Sequence, residues 1–175
     1  FTFLQKWYII YIMMKNAPTF NINDYGPAFH AAVLKRAKIE KAKRDKNYSA
    51  QFDTRSQATQ LKNFVQGHYA EMWLMNERGF TDCDDDYKDL YDLSRIISEI
   101  KTVGNEDWIE GGKRPLMETC RKLKLEKWRN YPDLIYVFVR NDWTGQYTFA
   151  GVWEWDKQQE KFIKESKKSL MFCKG

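Results

Sequence analysis

The sequence predicts an α/β fold in which helices flank a mixed sheet. Between Ser56 and Arg78, hydrophobic residues recur at three- and four-residue steps, which is typical of an amphipathic helix. Segments 87–103 and 134–155 instead carry short β-branched and aromatic runs separated by turn residues, as strands do. With 175 residues, the chain is long enough to bury a core without disulfides or zinc. We therefore expect one domain with an N-terminal arm.

The composition limits the classes of function. A net charge of +5 and a pI near 9.0 fit a polyanionic partner. The aromatic residues, at 16%, are better explained by a core than by stacking on bases. The presence of only two histidines argues against a His-based triad or a multi-His metal site, so any catalysis would rest on carboxylates and lysine.

The cysteines and the apolar segments predict a cytoplasmic protein. Three widely spaced cysteines without a C-x-x-C pair argue against a zinc module and favour reduced, intracellular thiols. The longest apolar stretch, Phe1–Met14, is interrupted by Gln5 and Lys6 and is too short for a span of about 20 residues. No membrane partner is therefore expected.

Residues 1–55 are predicted to form an arm followed by a basic helix. The arm, 1–20, has high β-propensity, and whether its first dozen residues are an appendage or an edge strand stays open. A helix is predicted over Tyr25–Asn47, with Pro27 in its first turn. Seven positive charges against two negative ones between 35 and 46 fit either a solvated face or a phosphate-binding face. The candidate nucleic-acid contacts are Lys35, Arg36, Lys38, Lys41, Lys43 and Arg44, with Lys113 and Arg114 on a later loop.

Residues 56–156 are predicted to form the core domain, and 157–175 a lysine-rich tail. After the Ser56–Arg78 helix, which Gly79 ends, a β-hairpin is expected with strands Tyr87–Leu93 and Ile96–Val103 and a turn at Ser94-Arg95. The remaining predicted elements are a helix over Pro115–Arg129, a strand buried on both faces over Leu134–Arg140, a turn at 142–145 and a strand over Tyr147–Trp155.

The hairpin carries the residues best suited to chemistry. Alternation along the second strand places Glu99 and Lys101 on one face, and Asp89 can reach the same end of the sheet. Charges in so apolar a strand are costly unless they are paired or bind a metal. Two carboxylates beside a lysine suit a hard divalent cation and a phosphodiester substrate. Glu71, beside the buried stripe of the preceding helix, is a third candidate carboxylate.

Three other residues are weaker candidates for a functional site. Asp92 competes with Asp89 for the metal role, although the ten residues from Asp89 to Glu99 fit two strands and a turn better. His68 is expected to be a core or hydrogen-bonded residue rather than a general base. Cys83 lacks a His partner for thiol catalysis.

The order of seven residues resembles the motifs of the PD-(D/E)xK nuclease superfamily. These residues are Gly67, Glu71, Gly79, Phe80, Asp89, Glu99 and Lys101. That superfamily includes restriction, homing and junction-resolving enzymes. The resemblance spans roughly 60–155 and implies a restriction-endonuclease-like αβββαβ core. One departure is that Lys88, not proline, precedes Asp89. The Pro132-Asp133 pair comes after the Glu-x-Lys motif, in the wrong order.

The resemblance implies a Mg²⁺-dependent DNA endonuclease that could also use Mn²⁺. Asp89, Glu99, Glu71 and the carbonyl of Ile100 would bind the metal, and Lys101 would position or activate water. Because one such site cuts one strand, a double-strand cutter would be a homodimer or larger homo-oligomer. The alternative is a non-catalytic nucleic-acid-binding or assembly protein on the same fold.

Overall fold

The computed structural model describes residues 17–46, 54–83, 89–105, 134–156 and 161–164. Several predictions fall outside these ranges. They concern the arm before residue 17, the helix over Pro115–Arg129, and the candidate contacts Lys113 and Arg114. Those predictions stay untested.

Two long helices precede most of the sheet, and both match the sequence prediction. Helix α1 is Pro27–Asp45, with proline in the first turn, and helix α2 is Gln57–Arg78. The Ser56 side chain caps α2 by accepting a 3.2 Å hydrogen bond from Thr59 N–H. Gly79 ends the helix at φ +70°, a left-handed conformation that favours glycine. Among the described residues, no helix is long and apolar enough to cross a membrane.

The sheet is mixed, which confirms the α/β class. Its described strands are β1 (Thr19–Asn21), β2 (Thr81–Asp82), β3 (Leu90–Tyr91), β4 (Ile97–Gly104), β5 (Leu134–Asn141), β6 (Gln146–Asp156) and β7 (Lys161–Lys164). They are ordered β1-β6-β5-β4-β3-β2, and β7 also pairs with β6. The β4–β5 pair is parallel, and the other pairings between these strands are antiparallel.

The predicted hairpin forms β3 and β4, but β3 ends at Tyr91 rather than at the predicted Leu93. Leu90 pairs with Ser98 and Tyr91 with Ile97. At the predicted turn, Arg95 adopts φ +60°. Asp92 closes the turn because its Oδ1 accepts hydrogen bonds from the N–H groups of Ser94 (2.8 Å) and Ile96 (2.9 Å).

The later strands follow the prediction up to residue 156. Strand β5 is buried along six consecutive residues, as expected for a strand covered on both faces. Strand β7, however, lies within the segment predicted to be a lysine-rich tail and pairs with the end of β6. Its Lys-Phe-Ile-Lys sequence is too short and too charged at its ends to indicate a strand without its partner.

The main core lies between α2 and the sheet. Ala70, Trp73 and Leu74 of α2 pack there with aromatic residues of the strands, and Trp73 meets Phe138 edge to face at 5.8 Å. Phe64 and Met72, two of the hydrophobic residues whose spacing predicts α2, are only half-buried. Helix α2 is covered on two sides, by the sheet and by α1. A single hydrophobic stripe therefore does not identify the face of α2 that is most deeply buried against the sheet.

Candidate functional site

Strand β4 presents Glu99 and Lys101 side by side, as the alternation predicts. Ile100 between them points into the main core, so Glu99 and Lys101 lie on the other face. Glu99 is buried, and its Oε1 forms an ion pair with Nζ of Lys101, whose side chain is 30% exposed. A buried carboxylate therefore has its ammonium partner at the border with solvent.

Asp89 precedes β3 and lies against β4. Continuing the Leu90–Ser98 register by one residue places Asp89 opposite Glu99. Its Oδ2 accepts a 2.6 Å hydrogen bond from the backbone N–H of Ile100. Burial, and then the charges of Glu99 and Glu71, raise the pKa of Asp89 well above its usual value, although Lys101 and the Ile100 N–H act in the opposite direction. The strands thus hold the carboxylates close enough to repel.

Glu71 enters the site from α2 and is buried. Its Oε2 accepts hydrogen bonds from His68 Nδ1 (2.8 Å) and Arg36 Nε (3.0 Å). Burial acts to raise the pKa of Glu71, but the hydrogen bond and charge of His68, together with Arg36, outweigh it and lower the pKa. Within the part of the chain that the structure describes, Oε1 accepts no hydrogen bond. Glu71 is therefore an ionised carboxylate with one oxygen available.

Arg36 connects three elements of the site. Besides Glu71, it binds both carboxylate oxygens of Asp82 on β2, at 2.6 and 3.0 Å. The hydrogen bond to Asp82 contributes most to raising the pKa of Arg36. The sequence predicts Arg36 as a nucleic-acid contact, but the structure gives its guanidinium two internal partners. Arg36 follows the buried Val33 by three residues, so it lies on the same face of α1. This spacing is the sequence signal that its side chain faces the protein.

His68 is buried between two glutamates, which confirms its expected place in the core. Its Nδ1 meets Glu71, and its Nε2 lies 3.7 Å from Oε2 of Glu40 on α1. Glu40 is not among the predicted site residues, although it also follows the spacing of the buried stripe. Burial and the neighbouring Glu71 raise the pKa of Glu40, more than His68 and Arg36 lower it.

Asp92 has a different role from Asp89. Its Oδ1 accepts the two N–H groups of the hairpin turn, and its Oδ2 accepts a 3.3 Å hydrogen bond from the Tyr136 hydroxyl. Asp92 therefore shapes the turn, and of the two aspartates Asp89 is the one that lies beside Glu99. The metal-binding role of Asp89 itself stays a prediction.

The donor set suits a hard cation, although it is not gathered around one point. Glu71, Asp89 and Glu99 supply carboxylate oxygens, the ligands that Mg²⁺ prefers. Across the ranges that the structure describes, no three side chains of His, Cys, Asp or Glu converge closely enough to hold a metal ion. In the conformation described, these carboxylates therefore do not form a closed metal site.

Helix α1 borders the site with positive charge. A cavity of about 340 Å³ is lined by Lys35, Arg36 and Lys43 on one side and by Asp82 and Asp89 on another. Lys35 and Lys38 are exposed. Lys41 instead has internal partners, since its Nζ lies 2.5 Å from Oδ2 of Asp45 and also contacts Gln57. Arg44 stacks on the Phe64 ring at 5.6 Å. Only part of the basic face thus points outward.

The chain matches no protein-family model, no curated protein and no solved structure. The class that the fold defines is therefore α/β with a mixed sheet. Any finer identity depends on the residues of the candidate site.

Proposed function

We propose that this chain is a metal-dependent DNA endonuclease on a restriction-endonuclease-like fold. The observation that carries this proposal is the position of Asp89 opposite Glu99, with Lys101 paired to Glu99. Burial, and then the charge of Glu99 on the adjacent strand, raise the pKa of Asp89. Such an arrangement costs stability, and a divalent cation would offset that cost.

The candidate metal site comprises Asp89, Glu99, the Ile100 carbonyl and Oε1 of Glu71. Mg²⁺ or Mn²⁺ bound there would supply Lewis-acid stabilisation of the phosphate and lower the pKa of bound water. The chain's own contributions are orientation and charge. The Ile100 N–H fixes Asp89, while Arg36 and His68 orient Glu71. Lys101, at the solvent border, orients the attacking water or stabilises negative charge on the phosphate.

Helix α1 would hold the DNA beside this site. Its exposed Lys35 and Lys38 and the cavity next to Asp89 offer positive charge to phosphates. One such site cuts one strand, so cutting a duplex would need a homodimer or larger homo-oligomer.

Plasmid cleavage tests the proposal. Supercoiled DNA should be nicked in the presence of Mg²⁺ or Mn²⁺, and EDTA should stop the reaction. The Glu99→Gln variant should be inactive, whereas Glu77→Gln, on the exposed end of α2, should match wild type. Cleavage that persists in EDTA, or in Glu99→Gln, would contradict the assignment.

A non-catalytic nucleic-acid-binding or assembly protein is the second candidate. The direct ion pair between Glu99 and Lys101 favours this second candidate, because the pair satisfies both charges without a metal. It predicts DNA binding that does not require Mg²⁺ and no nicking under any condition.

A further inference from the structure

His68 has one satisfied and one unsatisfied ring nitrogen. The side chain is buried, with 3% of the residue exposed. Its Nδ1 forms the 2.8 Å hydrogen bond with Oε2 of Glu71. Its Nε2 is buried and has no hydrogen-bond partner among the described residues. A buried polar atom without a partner is costly and requires an explanation.

The hydrogen bond to Glu71 determines which nitrogen carries the proton. A carboxylate only accepts, so Nδ1 must donate, and a metal ion that displaces the proton of Nε2 then meets a lone pair at that atom. The nearest acidic atom to Nε2 is Oε2 of Glu40, at 3.7 Å. This distance is too long for a hydrogen bond between the two atoms.

The separation instead suits two ligands of one metal ion. Zinc bonds to imidazole nitrogen and carboxylate oxygen are about 2.0–2.2 Å long, so two ligands at a tetrahedral angle lie about 3.4 Å apart. The observed 3.7 Å corresponds to a slightly wider angle. A carboxylate that hydrogen-bonds the other ring nitrogen is the arrangement that orients metal-binding histidines.

We propose that Nε2 of His68 and Oε2 of Glu40 bind a divalent transition-metal ion, with water completing the coordination. A nitrogen and a carboxylate oxygen suit zinc or cobalt better than magnesium. The Glu40 side chain is 47% exposed and lines the cavity beside α1, so its carboxylate can be reached from that cavity. No third His, Cys, Asp or Glu joins them in the described part of the chain, so water would supply the other ligands.

This site is separate from the candidate nuclease metal site and does not depend on the proposed function. It uses neither Asp89 nor Glu99. Glu71 contributes to it only through Oε2, as the hydrogen-bond partner of Nδ1, which leaves Oε1 for the other site. Each site can therefore be removed without removing the ligands of the other.

Cobalt titration tests the proposal, because Co²⁺ bound to nitrogen and oxygen ligands absorbs visible light. Wild-type protein should gain a saturable visible band with about one equivalent of Co²⁺, and Zn²⁺ should displace it. Glu40→Gln and His68→Gln should each lose the band. The controls are Glu77→Gln, Glu99→Gln and Cys83→Ser, the last because Cys83 lines the same cavity, and all three should keep it.

Three results would overturn the proposal: no band in wild type, a band that survives in Glu40→Gln, or a band lost in Glu99→Gln or Cys83→Ser. Loss in Glu99→Gln would place the cobalt in the candidate nuclease site instead. Should His68→Gln fail to fold, Glu40→Gln still decides the question, because the Glu40 side chain is half-exposed and the substitution changes only one ligand atom. Absence of Mg²⁺-dependent nicking would refute the proposed function and leave this site intact.

Discussion

The backbone N–H of Ile100 donates a 2.6 Å hydrogen bond to Oδ2 of Asp89. The bond fastens the carboxylate to the strand that carries Glu99 and Lys101. It also favours the ionised form of Asp89, but burial and the charge of Glu99 outweigh it, so the pKa stays raised. Asp89 is thus held in place at a cost to stability.

The first prediction is that Asp89→Asn stabilises the metal-free protein at neutral pH. Because the folded-state pKa of Asp89 is raised, the folded protein holds a proton over a pH interval in which the unfolded chain has released it. Wild-type stability therefore falls as pH rises through that interval, and the penalty remains above it. Asparagine cannot ionise, so the variant should melt higher at pH 7 and lose this advantage in acid.

Thermal melting across pH, with the exposed Asp24→Asn as control, measures this difference.

Metal binding is expected to have a second effect on melting. Millimolar Mg²⁺ should raise the melting temperature of wild type, because it binds only the folded state, and both Asp89→Asn and Glu99→Gln should lose that shift. A wild type insensitive to Mg²⁺, with Asp89→Asn melting lower, would favour the non-catalytic alternative.

The second prediction concerns Arg36, which joins α1 to α2 and β2. Arg36→Ala leaves Glu71 buried with one donor fewer and also removes the guanidinium from Asp82, so unfolding should become easier by about 3 kcal/mol. The exposed neighbour Lys35→Ala should change stability by less than about 0.5 kcal/mol. Chemical denaturation measures both values, and equal small effects would contradict the internal role of Arg36.

The pH dependence of the same variant supplies an independent check. The lowered pKa of Glu71 means that its ionised form stabilises the fold at neutral pH. This contribution is lost as pH falls through the lowered pKa. Since Arg36 provides part of the lowering, Arg36→Ala should lose less stability on acidification than wild type does.

The hairpin and its charged residues were predictable because their geometry is local. Period-two alternation places Glu99 and Lys101 on one face whatever packs around them. A turn of fixed length then sets the register that brings Asp89 opposite Glu99.

The internal partners of Glu71 were not predictable in the same way. They depend on how α1 docks against α2, and the sequence of α1 alone allows its arginine to face solvent or protein. Strand β7 was missed for a similar reason, since four residues reveal a strand only beside the β6 edge that pairs with them.

The third prediction compares two glycines. Gly145 adopts φ +73°, and an added Cβ would lie 2.8 Å from Cγ1 of Ile22. Gly145→Ala should therefore destabilise the fold by about 1–3 kcal/mol. Gly67 lies inside α2 with nothing within 4 Å of an added Cβ, so Gly67→Ala should stabilise by about 0.5–1 kcal/mol. Denaturant unfolding of both variants checks the pair, and a destabilised Gly67→Ala would show that the motif glycine has a packing role.

The fourth prediction tests whether the outward face of α1 binds phosphates. Replacing Lys35 and Lys38 with glutamine should weaken binding to all DNA sequences alike. It should also flatten the dependence of log affinity on log salt by about 0.9 for each duplex phosphate that the variant no longer neutralises. Lys62→Gln, on the exposed start of α2, is the matched control. An unchanged slope in the double variant would mean that this face is simply solvated.

The last prediction separates catalysis from binding at Lys101. Its ammonium is paired with Glu99 and its side chain is 30% exposed, which places the side chain where a phosphate could approach. Lys101→Ala should reduce the cleavage rate of bound DNA by at least about a hundredfold, because it removes a charge aimed at the reacting phosphate. DNA affinity should stay within a few-fold, since one charge is a small part of the total attraction to phosphates. Single-turnover cleavage and equilibrium binding measure the two effects separately. If affinity collapses while bound DNA is cut at the wild-type rate, Lys101 serves only to hold DNA, and water activation must be assigned elsewhere.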